Sequence, residues 1–249
     1  MTRLHTKTAW CLAVPLALLP SLLAQKSTAA QVPEAGGHES SPPSVTRPHV
    51  SFDFERPGLA VPRFTLKIFD DGGASYAGEE VIGSGSGSAS PPQAFHRTLG
   101  VSQTTAAKVF SLSRKLNRFN MDCASKMKNI ADTGKKTLSY AALDGSGSCV
   151  YNYSENKSVG ELTDIFLGIA ETLDEGRRLD FLHRYDRLGL DAEMENFAQQ
   201  VAAGRALEVG SIAESLRTIA ADSEVMQRVR TRANALLALV PAGTQESSP

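Results

Sequence analysis

The chain has 249 residues and carries 26 Lys and Arg against 27 Asp and Glu, a formal net charge of -1. That balance argues against a nucleic-acid binder of strongly basic pI and against an acidic, disordered solvating chain. Hydrophobic residues at 41% and charged residues at 21% supply enough apolar surface for a core, in one domain or two.

Arg3 and Lys7 precede an almost unbroken apolar run from Ala9 to Leu19, and small residues follow at Ala24, Ala29 and Ala30. This is the order of a secretory signal peptide, expected over 1–24 with cleavage after Ala24 or after Ala30, an uncleaved anchor being the alternative. Pro15 and Pro20 interrupt a run shorter than the roughly 20 residues of a membrane span, so no integral membrane domain is expected after cleavage. The expected location is secreted or periplasmic. Cleavage removes Cys11 and leaves Cys123 and Cys149, which are expected to form a disulfide in an oxidising compartment; two buried free thiols are the alternative. With no CxxC or His pair beside either cysteine, neither a metal site nor a cofactor is expected.

Residues 25–60, with Pro33, Pro42, Pro43 and Pro48, read as a flexible tether of too little apolar surface to order itself. The ordered part is expected from Val61. Phe64, Leu66 and Ile68 alternate with polar residues as in a half-buried strand, Asp70 to Gly73 give a turn, and Ala74 to Ile82 form the partner strand. The Gly/Ser stretch 83–92 reads as a mobile loop; two prolines stand where a phosphate loop needs Lys and Ser or Thr. A third strand is expected around Phe95, Leu99 and Val101. Ser102 then caps a helix whose apolar face runs Ala106, Val109, Phe110, Leu112, Leu116 and Phe119. A second hairpin pairs 136–143 with 148–154, and Ser158 with Glu161 forms the capping box of a helix carrying Leu162, Ile165, Phe166, Ile169 and Leu173.

The expected fold is therefore α+β over 61–175, an antiparallel sheet of about five strands covered by two helices. A C-terminal helical hairpin or small bundle follows over 176–240, with N-caps expected at Asp191 and Ser211, and then a disordered tail over 241–249. The hairpin, helix, hairpin, helix order from Val61 to Leu173, with Asp-Gly in the first turn, resembles small secreted or envelope domains of bacteria. That resemblance implies an architecture and no activity.

Two short strings look catalytic. Ala131-Asp132-Thr133-Gly134 resembles the Asp-Thr-Gly loop of the aspartic proteases, in which two carboxylates share a proton to activate water. Phe166-Leu167-Gly168 would stand in for that family's downstream segment, although here it falls in a helix and Lys135 and Lys136 follow the loop. Ser125-Lys126-Met127-Lys128 with Ser154-Glu155-Asn156 is loosely similar to two elements of penicillin-recognising serine enzymes, whose third element, Lys-Thr-Gly, is absent. No complete catalytic set is present, which leans against an enzyme; an aspartic-type hydrolase using Asp132 and a purely structural envelope protein stand as alternatives.

Charge is distributed unevenly. Residues 93–157 hold ten basic and four acidic residues, and 158–240 hold nine Arg, no Lys and fourteen acidic residues. At 100° per residue Lys108, Arg114, Lys115 and Arg118 fall opposite the apolar helix face, and Lys126 and Lys128 extend the segment. The expectation is a non-enzymatic binding module using this basic face toward a protein or an anionic envelope component. Export, the overall balance and the lack of stacking aromatics on that face argue against nucleic acid.

Overall fold

The computed structural model describes residues 47–81 and 91–241. The signal peptide, the tether up to residue 46, most of the Gly/Ser loop and the tail beyond 241 lie outside the described residues.

The architecture is α+β, and the sheet has six antiparallel strands: β1 His49–Glu55, β2 Arg63–Phe69, β3 Gly73–Glu80, β4 Gln93–Gly100, β5 Lys135–Ala142 and β6 Gly145–Tyr151. Their spatial order is β4-β3-β2-β1-β5-β6. The additional strand is β1, which corrects the tether expectation for 49–55. Proline-rich composition upstream obscures an alternation in which Val50, Phe52 and Phe54 are buried and Asp53 and Glu55 are half-exposed, broken only by the buried Ser51. This strand is central: it pairs with β2 on one side and β5 on the other, joining the β2-β3-β4 meander to the β5-β6 hairpin.

One face of the sheet is the core. Phe52, Leu66, Tyr76, Leu138 and Tyr140 are all at most 1% exposed. The opposite face carries polar side chains, most of them short, with Thr98, Ser75, Lys67, Ser51, Ser139 and Ser148 in register across all six strands. An antiparallel sheet covered on one side only produces this segregation. Helix α1, Gln103–Lys115, and helix α2, Lys157–Tyr185, supply the cover. The Phe52 and Phe166 rings stack at 5.2 Å, and Phe110 meets Tyr140 edge-on at 5.9 Å.

The expected cap of α1 is found: the Ser102 hydroxyl accepts the Thr105 N–H. The cap of α2 is Asn156 instead of Ser158, its Oδ1 accepting the Ser158 N–H at 2.9 Å. Helix α2 runs through the expected boundary at 175 and ends only at Tyr185, so its second half belongs to the helical segment. That segment contains α3 Gly189–Ala202, α4 Ala213–Ala221 and α5 Gln227–Leu237. Asp191 and Ser211 are not caps. Asp191 lies in the first turn of α3, where Asp186 Oδ1 takes the Gly189 N–H, and Ser211 lies in a 3-10 turn over Val209–Ile212.

Small residues at i, i+4 and i+8 on α2, Gly168, Thr172 and Gly176, let the 205–212 segment lie against the helix. Thr172 Oγ1 donates to Leu207 O at 2.6 Å, and Gly168 O accepts the Leu207 N–H at 3.0 Å. Glu208 then reaches the N-terminus of α1, where its carboxylate accepts from the Ser102 N–H, the Ser102 hydroxyl and the Thr105 hydroxyl. A negative charge at a helix N-terminus is stabilising, and this one comes from a residue about a hundred positions downstream.

Candidate functional site

The expected disulfide is present. Cys123 and Cys149 are bonded, with Cα atoms 5.8 Å apart and both side chains buried. The bond fastens the irregular connection after α1 to the edge strand β6. Asn120 Nδ2 to Ser146 O at 2.9 Å and Ser125 N to Tyr153 O at 2.9 Å continue that seam.

The six residues of the expected basic face divide into two groups. Lys108 pairs with Glu161 of α2 at 2.7 Å. Arg114 and Arg118 both pair with Asp144, at 3.3 and 3.1 Å, at the tip of the β5-β6 hairpin. The Tyr140 hydroxyl also donates to Asp144, and these contacts, the phenol first, hold that carboxyl down at about 2. Lys115, Lys126 and Lys128 are exposed and make no ion pair among the described residues.

Asp132-Thr133-Gly134 is a turn. Asp132 is exposed and its Oδ1 accepts the Gly134 N–H at 2.9 Å, while Thr133 bonds to Asn152 through its N–H and its hydroxyl. Gly134 at φ +93 turns the chain into β5. Beneath the turn, Lys136 is 5% exposed and its ammonium donates to Thr133 O, Thr133 Oγ1, Gly134 O and Asn152 O at 2.8–3.1 Å. Burial lowers its pKa, with Asp132 opposing the shift. Phe166, in the segment matched to the protease family, is fully buried in α2 against Phe52. Among the described residues no three His, Cys, Asp or Glu side chains converge as metal ligands would.

A groove beside α2 is a feature that sequence reasoning missed. The 56–62 loop, the ends of β1, β2 and β3, and the middle of α2 enclose a groove of about 780 Å³. Its walls are Phe54, Leu59, Val61, Phe64, Leu167, Ala170 and Phe181, and its polar groups are Glu80, Glu171, Asp174, Glu175, Arg177 and Arg178. Leu59 and Phe181 remain 40% and 59% exposed at the rim, and the Phe181 ring packs on the exposed Tyr185 at 5.0 Å.

The polar groups are tightly arranged. Asp174 accepts from Tyr76 Oη at 2.8 Å and from Arg177 at 3.0 Å, and Arg177 also reaches Glu80 and lies 4.2 Å over Phe95. Burial lifts the Asp174 carboxyl to about 6. Glu175 is 5% exposed beside the Glu193 carboxylate of α3, which Arg178 holds at 2.7 Å. Burial first, and Glu193 second, raise Glu175 to about 8. Among the described residues, its Oε1 has no hydrogen-bond partner.

A signal for this site did exist in the sequence. Continuing the helix beyond Leu173 at its own period places Glu175 between Thr172 and Leu179 on the inward face, and an acid at an inward position is worth testing as functional. Compared with known proteins, the chain matches no family model and no curated relative.

Proposed function

We propose that this chain is a non-enzymatic binding module that works outside the cytoplasm, in the envelope or the extracellular space, and that it binds through the groove beside α2. The observation that carries the reading is a mostly apolar groove of ligand size, about 780 Å³, beside α2. Small-molecule sites combine a mostly apolar wall with a few placed polar groups, within roughly 300–1,000 Å³. The signal-like N-terminus and the disulfide support the extracytoplasmic part of the reading.

The test is uptake of the neutral dye Nile red. The reading expects saturable 1:1 binding, lost in Leu59→Glu/Phe181→Glu, whose exposed positions leave the melting temperature unchanged. No saturable uptake by the folded protein would refute it.

A second surface is favoured by one observation, that Lys115, Lys126 and Lys128 are exposed cations without an acidic partner among the described residues. Reversing these three should abolish retention on anionic envelope fractions at low salt if the basic face also docks. Reversing Arg114 and Arg118 is the poorer test, because it breaks their pairs with Asp144.

A further inference from the structure

Along the first half of α2 the helix is open to solvent on a single line. From Ile165 to Gly176 only Leu167, Glu171 and Asp174 are not buried, and Arg178, Phe181 and Tyr185 continue the same line toward the end of the helix. Alternating steps of four and three residues are the spacing of a seam along which one helix meets another. The C-terminal half of this seam is apolar and open: Phe181 and Tyr185 are 59% and 72% exposed, and their rings pack on each other. Contiguous exposed rings of this kind mark an interaction surface.

Charge along the seam selects what can lie on it. The first half is acidic, with Glu171 and Asp174, and the second half carries Arg178 beside the two rings. A parallel copy of the same helix would set Glu171 on Glu171 and Arg178 on Arg178. An antiparallel copy sets unlike groups together. Residues 174 and 178, 171 and 181, and 167 and 185 lie at equal distances on either side of position 176, so a twofold axis at that level matches each with its counterpart in the other copy. A patch that is complementary to itself is what an isologous dimer requires. The groups are also available. Tyr76 and Arg177 both reach Asp174 at Oδ1, which leaves Oδ2, and Arg178 meets Glu193 through Nη2 while its side chain stays 63% exposed. Glu171 is exposed and makes no ion pair among the described residues.

We infer that the groove is occupied by a second copy of this chain, docked with its α2 antiparallel to this one about a twofold axis level with Gly176. This rests on the groove being the binding surface. The second copy's Phe181 and Tyr185 lie against Leu167 and the groove wall at Leu59, and its Arg178 lies against Asp174 with Glu171 one turn before; the same contacts repeat across the axis. Removal of the rings from water supplies the attraction, and the charge pairs fix the direction.

Sedimentation velocity of the mature chain tests this. A reversible monomer–dimer equilibrium is expected, and Nile red uptake per chain should fall as the dimer forms. Phe181→Glu/Tyr185→Glu should weaken the dimer at least about tenfold and leave the melting temperature of the dilute monomer unchanged. Glu171→Arg should weaken it at low salt and by less at high salt. Direction is read by mild oxidation of introduced cysteines, the native pair being bonded to each other. Leu167→Cys/Tyr185→Cys should give a covalent dimer, because the two positions stand about 27 Å apart along one helix and can bond only between copies. Leu167→Cys alone and Tyr185→Cys alone should stay uncrosslinked; a covalent dimer from either would overturn the antiparallel arrangement. A dimer that survives Phe181→Glu/Tyr185→Glu uses another surface and overturns the inference. If the chain stays monomeric at every concentration and still takes up Nile red, the second copy falls and the groove reading stands. If it does neither, both fall.

Discussion

The Tyr76 hydroxyl, on a side chain with no exposed surface, donates to Asp174 Oδ1 at 2.8 Å and so ties β3 to the middle of α2 at the edge of the groove. Desolvation keeps this phenol protonated at every ordinary pH, so it is a fixed donor. Tyr76→Phe preserves the ring packing against Phe64 and Phe95 and removes only that donor. The expected cost is about 1–3 kcal/mol by urea unfolding. The Asp174 carboxyl, which the bond holds down against burial, should titrate above its present value of about 6 when followed by carboxyl-carbon NMR. A downward move would show that the bond does not favour the ionised acid.

The same acids set the direction of the pH dependence. Glu175 at about 8 and Asp174 at about 6 both lie above their unfolded values, so the folded chain holds protons that the unfolded chain releases. Their contribution is complete in acid and is lost as pH rises through those values, with a slope of at most about 1.4 kcal/mol per pH unit for one proton. Asp144 at about 2 acts oppositely: its contribution is present above the ordinary aspartate value and is lost as pH falls toward 2. Asp71, held down by Arg47, and Asp191, held down by Arg228, act in that same direction. The melting temperature is therefore expected to peak in mild acid and to decline toward pH 8. Glu175→Gln should remove most of the decline, and an unaltered decline in the variant would contradict the assignment.

Two glycines of α2 should respond with opposite sign to one substitution. A Cβ at Gly176 would overlap Ile212 Cγ2 and lie 3.1 Å from Ile212 Cβ, in a side chain with no exposed surface. A Cβ at Gly160 would meet nothing within 4 Å. Gly160→Ala should gain up to about 1 kcal/mol from helix propensity. Gly176→Ala should lose about 1–2 kcal/mol net, because overpacking exceeds that gain. Denaturant midpoints of the two variants decide the matter, and a stabilising Gly176→Ala would show that the 205–212 segment is not held close to α2.

What the sequence reveals follows the range of each interaction. The β2-β3 and β5-β6 hairpins, the α1 face and its Ser102 cap are local patterns, and each is legible from residues within a few positions of one another. The strand β1 was equally local but was hidden by proline-rich neighbours when composition was averaged over 25–60. The capping box at Ser158 failed because Asn156, two residues earlier, offers the same N–H a better-placed acceptor. The groove is legible only at Glu175, through the helix period. Its walls come from the 56–62 loop and from α2 about a hundred residues later, and the Glu208 cap on α1 spans a similar distance. Such contacts leave no periodicity. The basic residues of α1 make a local pattern, whereas Asp144 and Glu161, which pair with half of the six, are brought there only by the tertiary fold.

Reduction of Cys123–Cys149 should loosen one region before it unfolds the chain. The bond closes a separation of 26 residues. For a loop of that size the chain-entropy model gives about 3–4 kcal/mol, an amount that urea unfolding of Cys123→Ser/Cys149→Ser should approach. Non-reducing mass analysis should find no free thiol in the mature protein, and two alkylatable cysteines would refute the bond.

Lys136 supplies the sharpest test of the Asp132 turn. Its ammonium meets three backbone carbonyls and one hydroxyl at a site only 5% exposed, so it acts as a buried cross-link between the 131–134 turn and Asn152 at the end of β6. Lys136→Met keeps most of the apolar stem of the side chain and leaves those oxygens without their donor, at an expected cost of about 2–3 kcal/mol. The damage should be local, with limited proteolysis cutting first between residues 124 and 134. Asp132→Asn, by contrast, keeps an oxygen for the Gly134 N–H and should change stability by no more than about 0.5 kcal/mol. If the asparagine variant instead removed an acid-pH peptidase activity of the wild-type protein, the turn would have a catalytic role as well as a structural one. A Lys136→Met variant of unchanged stability and protease resistance would show that the cross-link carries no weight.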